Sequence, residues 1–234
     1  MSVGERLDRV KNYFGELLFP SCCVGCGKGG EFLCKNCRQS LPVLMPPLCK
    51  KCGNSLPWDG CCTSCLRWEL QIDGIRSPFR YEGIVREAVL QLKYHHLRAI
   101  AQELAQPLAE YFKRVSPPGD ILFPVPLHPR RLRARGYNQS ALLAEALGKL
   151  VGLPVEDRVL WRYVDTPPQA RSDGATRRNN VLGAFRCNEK EVESRSVIVI
   201  DDVCTTGATL NACAETLKIA GVASVWGVAL AREV

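Results

Sequence analysis

Ten cysteines between Cys22 and Cys65, eight of them in four C-x-x-C pairs, leave that part of the chain few ways to fold. The pairs are Cys23/Cys26, Cys34/Cys37, Cys49/Cys52 and Cys62/Cys65, set among glycines and prolines with no hydrophobic period. So short and loop-rich a segment has little scope for an apolar core and usually needs metal to fold. Each C-x-x-C wraps a tight turn around one ion, and two pairs close a tetrahedral four-sulfur site with no open position. The spacing therefore predicts two Zn2+ ions that are structural rather than catalytic. Sequential pairing would group Cys23, Cys26, Cys34 and Cys37, then Cys49, Cys52, Cys62 and Cys65; a cross-braced pairing uses the same eight residues, and spacing leaves both open. Cys22 and Cys61 are adjacent competitors with no assigned role. A redox-active C-x-x-C is the rival reading, but it would normally sit at a helix start beside a strand. Gly25, Gly27 and Gly30 spell the dinucleotide fingerprint G-x-G-x-x-G. No strand pattern precedes them and Cys26 is counted among the metal ligands, so these glycines belong to the zinc knuckles.

Metal is expected over disulfides because the chain reads as cytoplasmic. Charges interrupt the N-terminus every few residues from Glu5 to Glu16, unlike a secretory signal. No apolar run approaches the roughly 20 residues needed to span a bilayer, so no membrane insertion is expected. The formal net charge of +7 hints at an anionic partner, but eight thiolates set against two zinc dications bring it to +3. That remainder is too small to argue for nucleic acid unaided, and where the positive charge clusters matters more.

Val3, Leu7, Val10, Phe14, Leu17 and Leu18 recur at steps of three and four before Pro20, so residues 1–20 read as an amphipathic helix. Its stripe docks on the rest of the protein in the plainest reading, with a partner or membrane surface as the alternative. Residues 21–68 are the cysteine module. From residue 71 to 234 strands and helices alternate: an extended segment at 72–81, helices at 82–94 and 97–115 with a bend at His95–His96, a strand at 121–125 and a helix at 138–151. A strand at 197–200, a helix at 208–220 and a strand at 222–231 complete the pattern. Such alternation predicts a parallel α/β sheet with ligands at the carboxyl ends of its strands. Residues 154–195 read as strand-like patches around a polar, arginine-rich loop.

The most informative stretch runs from Val197 to Leu210: four β-branched residues, then Asp201-Asp202-Val203-Cys204, then Thr205-Thr206-Gly207-Ala208-Thr209 opening a helix. Backbone N–H groups at such a turn cradle an anion, the threonine hydroxyls add donors, and glycine lets the backbone come close. Two adjacent carboxylates would repel a phosphate but suit the hydroxyls of a ribose one sugar-length away. The pattern therefore fits a ribose 5-phosphate group better than a plain acid-capped turn. It resembles the 5-phosphoribosyl-1-pyrophosphate (PRPP) motif of type I phosphoribosyltransferases. The resemblance implies that Asp201 and Asp202 hold the ribose hydroxyls, that Thr205–Thr209 hold the 5-phosphate, and that Mg2+ accompanies PRPP. Cys204 reads as a small filler within the turn.

Four arginines, Arg130, Arg131, Arg133 and Arg135, follow the strand end Pro124-Val125-Pro126-Leu127. Alone they are a solvated basic face or a generic polyanion site; beside the PRPP motif they offer a surface for pyrophosphate or a second anion. Gln169, Arg171 and Arg177 lie in a second polar loop that would close over a bound pyrophosphate and exclude water.

In combination these motifs resemble the ComF family of competence-associated proteins: the cysteine module, Leu92-Lys93-Tyr94, P-V-P-L, R-G-Y-N-Q ending at Gln139, P-Q at Gln169, R-x-N-V from Arg178, and D-D-V-x-T-T-G-A-T. The resemblance implies an α/β fold: a type I phosphoribosyltransferase-like parallel sheet with helices on both faces, preceded by a small double zinc-ribbon module. It implies a link to uptake or use of external DNA but leaves the acceptor open; the first reading is transfer of phosphoribosyl to an acceptor nitrogen, with Arg135, Lys93 and Arg171 or Arg177 neutralising the departing pyrophosphate. No residue stands out as a general base, and His128 is only a candidate. The alternative is a non-catalytic scaffold that senses PRPP or contacts single-stranded DNA or competence-machinery proteins; its weakness is the scatter of aromatic residues available for stacking.

Overall fold

The computed structural model describes residues 21–67, 70–165, 183–188 and 192–234. The helix expected at 1–20 and the loop residues Gln169, Arg171 and Arg177 lie outside the described residues. The cysteine module holds two short helices, α1 (Lys35–Gln39) and α2 (Thr63–Arg67). Its knuckles turn at Gly27 and Gly53, both at positive φ, with Gly27 N–H donating to the Cys23 carbonyl and Gly53 N–H to the Cys49 carbonyl. Glycine enters that left-handed region at no steric cost, which suits the position after the first C-x-x-C of each ribbon.

The remaining elements in chain order are β1 (Gly74–Arg76), β2 (Phe79–Arg80), α3 (Gly83–Tyr94), α4 (Ile100–Val115), β3 (Ile121–Pro124), α5 (Pro129–Arg135) and α6 (Gln139–Val151). They continue with β4 (Leu160–Arg162), β5 (Phe185–Cys187), β6 (Ser196–Cys204), α7 (Ala208–Ile219) and β7 (Ser224–Arg232). The main sheet runs β1-β7-β6-β3, with β2 pairing β7 further along the same edge as β1. Every pairing in it is parallel. β4 and β5 form a separate antiparallel pair.

Side-chain alternation along the strands divides the core in two. Ile198, Ile200, Val228 and Leu230 pack with α3, α4 and α6 through residues such as Leu92, Leu104, Leu143 and Leu147. Val197, Val199, Val225 and Ala229 belong to the other core, with Leu210, Ala214 and Leu217 of α7 and with Leu160 and Phe185 of the β4–β5 pair. Buried on both faces, these strands have the near-continuous apolar sequence that a covered parallel sheet requires. The zinc module is part of both cores: Cys23, Leu33, Cys34 and Cys37 join the first, Cys49, Cys52 and Cys62 the second.

Two elements differ from the sequence reading. β6 does not stop at Ile200 but carries Asp201 and Asp202 within the strand, because its pairing with β7 continues to Cys204 opposite Arg232. The arginine run forms the helix α5, with Pro129 in its first turn and Gly136 at its C-cap in the left-handed conformation. Its N-cap is His128, whose Nδ1 accepts from Arg130 N–H at 3.3 Å, so the candidate base is spent locally on that cap.

Candidate functional site

The eight cysteines gather into two tetrads, Cys23/Cys26/Cys34/Cys37 and Cys49/Cys52/Cys62/Cys65, with the sulfurs of each within 4.8 Å of one another. The pairing is sequential. Cys22 and Cys61 stand outside both tetrads. Zn–S bonds of about 2.3 Å in a tetrahedron place sulfurs roughly 3.8 Å apart. The Cys26–Cys34 and Cys52–Cys62 separations are 3.7 Å, so the donor sets fit zinc. Backbone N–H groups point at the sulfurs, Cys34 N–H to Cys23 and Cys62 N–H to Cys49, as thiolates need. Burial would raise the Cys23 and Cys49 thiols, but these and neighbouring N–H groups outweigh it and bring both to about 6. Burial pushes Cys37 up to about 12 with adjacent sulfurs adding to it, and pushes Cys52 up to about 12 against the lowering effect of Arg232. Four thiolates in one cluster repel one another, and a bound dication removes the conflict.

At the carboxyl end of β6, Asp201 and Asp202 are both buried. Consecutive strand residues project to opposite sides, so the two carboxylates find different partners. Asp201 Oδ1 accepts from Ser140 Oγ at 3.0 Å and from Asp202 N–H at 2.9 Å. Asp202 Oδ1 accepts from Val203 N–H, while Oδ2 lies 2.9 Å from Lys93 Nζ. That second contact is an ion pair, and the buried Oδ2 has no partner besides Lys93 among the described residues. A sugar hydroxyl or a hydrated cation would satisfy it, so the donor set fits Mg2+ with a ribose. Burial, then the neighbouring Asp202 charge, pushes the Asp201 carboxyl up to about 7. Burial alone would lower the Lys93 ammonium, but Asp202 and Asp201 outweigh it and hold its pKa above the ordinary value.

The turn that follows joins β6 to α7. Gly207, at φ +82°, precedes α7, and a Cβ there would lie 2.9 Å from Ile75 Cδ1, so both backbone and space call for glycine. Thr206 Oγ1 accepts from Ala208 N–H at 3.3 Å. Val203 and Cys204 end the strand, and Thr205 is exposed at the turn with Thr206 and Thr209 partly so.

The R-G-Y-N-Q run organises the opposite wall. Gly136 ends α5, and Tyr137 is buried, its hydroxyl donating to the Leu92 carbonyl one residue before Lys93. Asn138 caps α6, accepting from Ser140 N–H, and its side-chain amide donates to the Val125 carbonyl at the end of β3. Arg135 donates to Gln139 and lies over the Tyr94 ring. Lys93, Leu127, Arg135, Arg131, Tyr94 and Gln139 line a cavity of about 480 Å³ beside the acid pair. Lys93, Leu127 and Arg135, far apart in sequence, thus meet in one place, with Pro126 buried behind Leu127. Arg131 also lies 3.3 Å from Asp165, and Arg130 lies 3.7 Å from the same carboxylate.

Sequence reasoning missed Ser140 and Arg162. Ser140 has no signal beyond its place in the first turn of a capped helix. Arg162 is a buried arginine on β4, over the Phe185 ring, near enough to Asp201, Asp165 and Arg131 to feel their charges. It sits in a segment whose short strands have no clear period.

Comparison with known proteins agrees with this geometry. Residues 14–66 match the model of a double zinc ribbon domain and residues 138–233 that of a phosphoribosyl transferase domain. The chain is 30% identical to Competence protein F of Haemophilus influenzae over 210 residues, 85% of this chain and 90% of that protein. It is 28% identical to Competence protein ComFC of Bacillus subtilis, over 84% of this chain and 82% of that one. Against DNA utilization protein YhgH of Escherichia coli K12 the identity is 29%, over 89% and 96%. Among solved structures, purine phosphoribosyltransferase of Pyrococcus horikoshii aligns with 56% of this chain and 73% of its own, at 16% identity and a TM-score of 0.37. At that score the likeness is partial, and the fold assignment rests on the sheet order and the domain matches. Among the described residues no helix is long and apolar enough to cross a membrane.

Proposed function

Because this chain belongs to the ComF family, whose members join a double zinc ribbon to a phosphoribosyltransferase-like domain, we propose that it binds PRPP with Mg2+ and transfers phosphoribosyl to an acceptor nitrogen in the use of external DNA. One observation carries the reading: two buried carboxylates lie in the last four residues of a core strand that leads into a threonine- and glycine-rich turn, beside a cavity lined by Lys93 and Arg135. In this reading the ribose 2′ and 3′ hydroxyls donate to Asp201 and Asp202, and the Thr205–Thr209 turn holds the 5-phosphate. The acceptor nitrogen forms a bond to C1 as the C1–O bond breaks, and the electron pair leaves with pyrophosphate. Lys93 and Arg135 face the charge that develops there. Magnesium, when bound with the substrate, supplies further neutralisation of the pyrophosphate. Gln169, Arg171 and Arg177 are proposed to cover it, and the site is proposed to work in the cytoplasm.

The test is calorimetric titration of PRPP with Mg2+ into the zinc-loaded wild type and into Asp201→Asn/Asp202→Asn. Binding that the double variant loses is expected. No binding to the folded wild type would remove the reading.

A second reading, a scaffold for single-stranded nucleic acid, is favoured by one feature the sequence reading passed over. Trp161 and Tyr163 are each 45% exposed, Trp161 lies opposite Arg186 in the β4–β5 pair, and the Arg186 guanidinium sits 4.6 Å from the Tyr163 ring centre. Exposed aromatics beside arginine suit base stacking. Binding of an oligonucleotide that weakens steeply with salt, needs Trp161 and ignores PRPP would favour it.

A further inference from the structure

Arg232, the last residue of β7, is a cation with only 3% of its surface exposed at the end of a core strand. A charge so buried is stable only when its donors are taken up. Its two visible partners lie in different parts of the molecule. Nη1 donates to Cys204 Sγ at 3.0 Å, at the end of β6 that leads into the threonine-rich turn, and Cys204 is the residue across from it in the β6–β7 register. Nε donates to Asn54 Oδ1 at 3.4 Å, in the second zinc ribbon. Asn54 is itself tied to that ribbon: its carbonyl accepts from Cys49 N–H at 2.7 Å. Cys49 and Cys52 are two of the four sulfurs of the second tetrad.

A parallel route runs through β1. Ile75 N–H donates to the Lys51 carbonyl at 2.8 Å, and a Cβ on Gly53 would come within 2.6 Å of the Ile75 carbonyl oxygen. On its other side, Ile75 Cδ1 abuts Gly207. The Cys49–Asn54 knuckle is therefore linked to the turn by two routes, Asn54–Arg232–Cys204 and Gly53–Ile75–Gly207. The first ribbon attaches elsewhere, with Arg38 reaching Glu103 and Gln106 on α4.

We infer that the second zinc ribbon is part of the machinery that sets the Cys204–Thr209 turn, and that Arg232 is the positioning residue joining the two. The inference rests on the PRPP reading of that turn for its functional consequence, though the mechanical link stands without it. The first ribbon, by contrast, is tied to α4 through Arg38.

The experiment compares full-length, zinc-loaded wild type with Arg232→Met, Asn54→Ala and Arg38→Ala. All keep the eight metal-binding sulfurs, and metal analysis confirms equal zinc content before comparison. Asn54→Ala removes only the ribbon end of the link, so it serves should Arg232→Met fold poorly. Two quantities are read: backbone hydrogen exchange across residues 204–209, and affinity for PRPP with Mg2+. Arg232→Met and Asn54→Ala are expected to raise exchange in that segment selectively and to weaken PRPP by roughly tenfold, as loss of a charge-assisted hydrogen bond does. Arg38→Ala is expected to change neither. If residues 204–209 exchange in Asn54→Ala as in wild type, or if Arg38→Ala loosens them equally, the link is refuted. If wild type binds no PRPP but exchange still rises selectively, the PRPP reading fails and the link survives.

Discussion

Asp201 and Asp202 are neighbours held in different states, and the difference has consequences that can be measured. Burial and the Asp202 charge hold the Asp201 carboxyl up at about 7, so in the free protein it keeps its proton into the neutral range. A folded-state pKa above the unfolded value gives a stabilising contribution that is full below the ordinary carboxylate range and lost as pH rises through about 7. Ribose hydroxyls donating to Asp201 need the ionised form, so PRPP affinity is expected to fall as pH drops below about 7, by up to about tenfold per unit. Calorimetry across that range should show this slope in wild type and not in Asp201→Asn, a comparison that cancels the ligand's own titration. Lys93→Met leaves the Asp202 carboxylate buried without its charge partner and should cost about 2–3 kcal/mol in denaturant unfolding. Gly207→Val forces a β-branched residue into a positive-φ position against Ile75, with an expected loss of at least ~1–3 kcal/mol and of PRPP binding.

At the scale of elements, Asn138 joins two with one side chain and a third through its neighbour: it caps α6, is tied to the end of β3, and accepts from the backbone of the Ser140 whose hydroxyl meets Asp201 on β6. Asn138→Ala should lower stability by about 1–2 kcal/mol in denaturant unfolding, the cost of a lost cap and a lost buried hydrogen bond. The alternating pattern of strands and helices was legible because buried parallel strands are runs of Val and Ile, and amphipathic helices repeat at three and four. The end of β6 was not legible, since aspartates are poor strand formers and only pairing with β7 keeps them extended. The helix α5 hid because its arginines show no apolar stripe; Pro129 and Gly136 were the available marks of its ends. Of the candidate site, the acid pair and the turn could be read from local chemistry. The meeting of Lys93 with Asp202, the place of Ser140, and the reach of Arg232 to the second ribbon depend on packing between distant segments. The sequential zinc pairing belongs to the same class, because spacing permits either arrangement and only the fold chooses.

For the whole molecule, the zinc module is not an appendage. Its cysteines lie in the two cores on opposite faces of the sheet, so the domain that carries the acid pair is completed by the ribbons. Chelation should release two zinc ions per chain and lower the thermal midpoint of the entire protein, not of a separable N-terminal step. Calorimetric unfolding with and without chelator checks this; an unchanged main transition would speak against shared cores. The central claim is that the β6–α7 turn holds the 5-phosphate of PRPP, and phosphorus NMR of PRPP with Mg2+ addresses it directly. Adding wild type is expected to shift or broaden the 5-phosphate resonance along with those of the pyrophosphate, and Gly207→Val to abolish the 5-phosphate effect. A 5-phosphate signal untouched by the folded, zinc-loaded protein, even where the pyrophosphate resonances respond, would contradict the account.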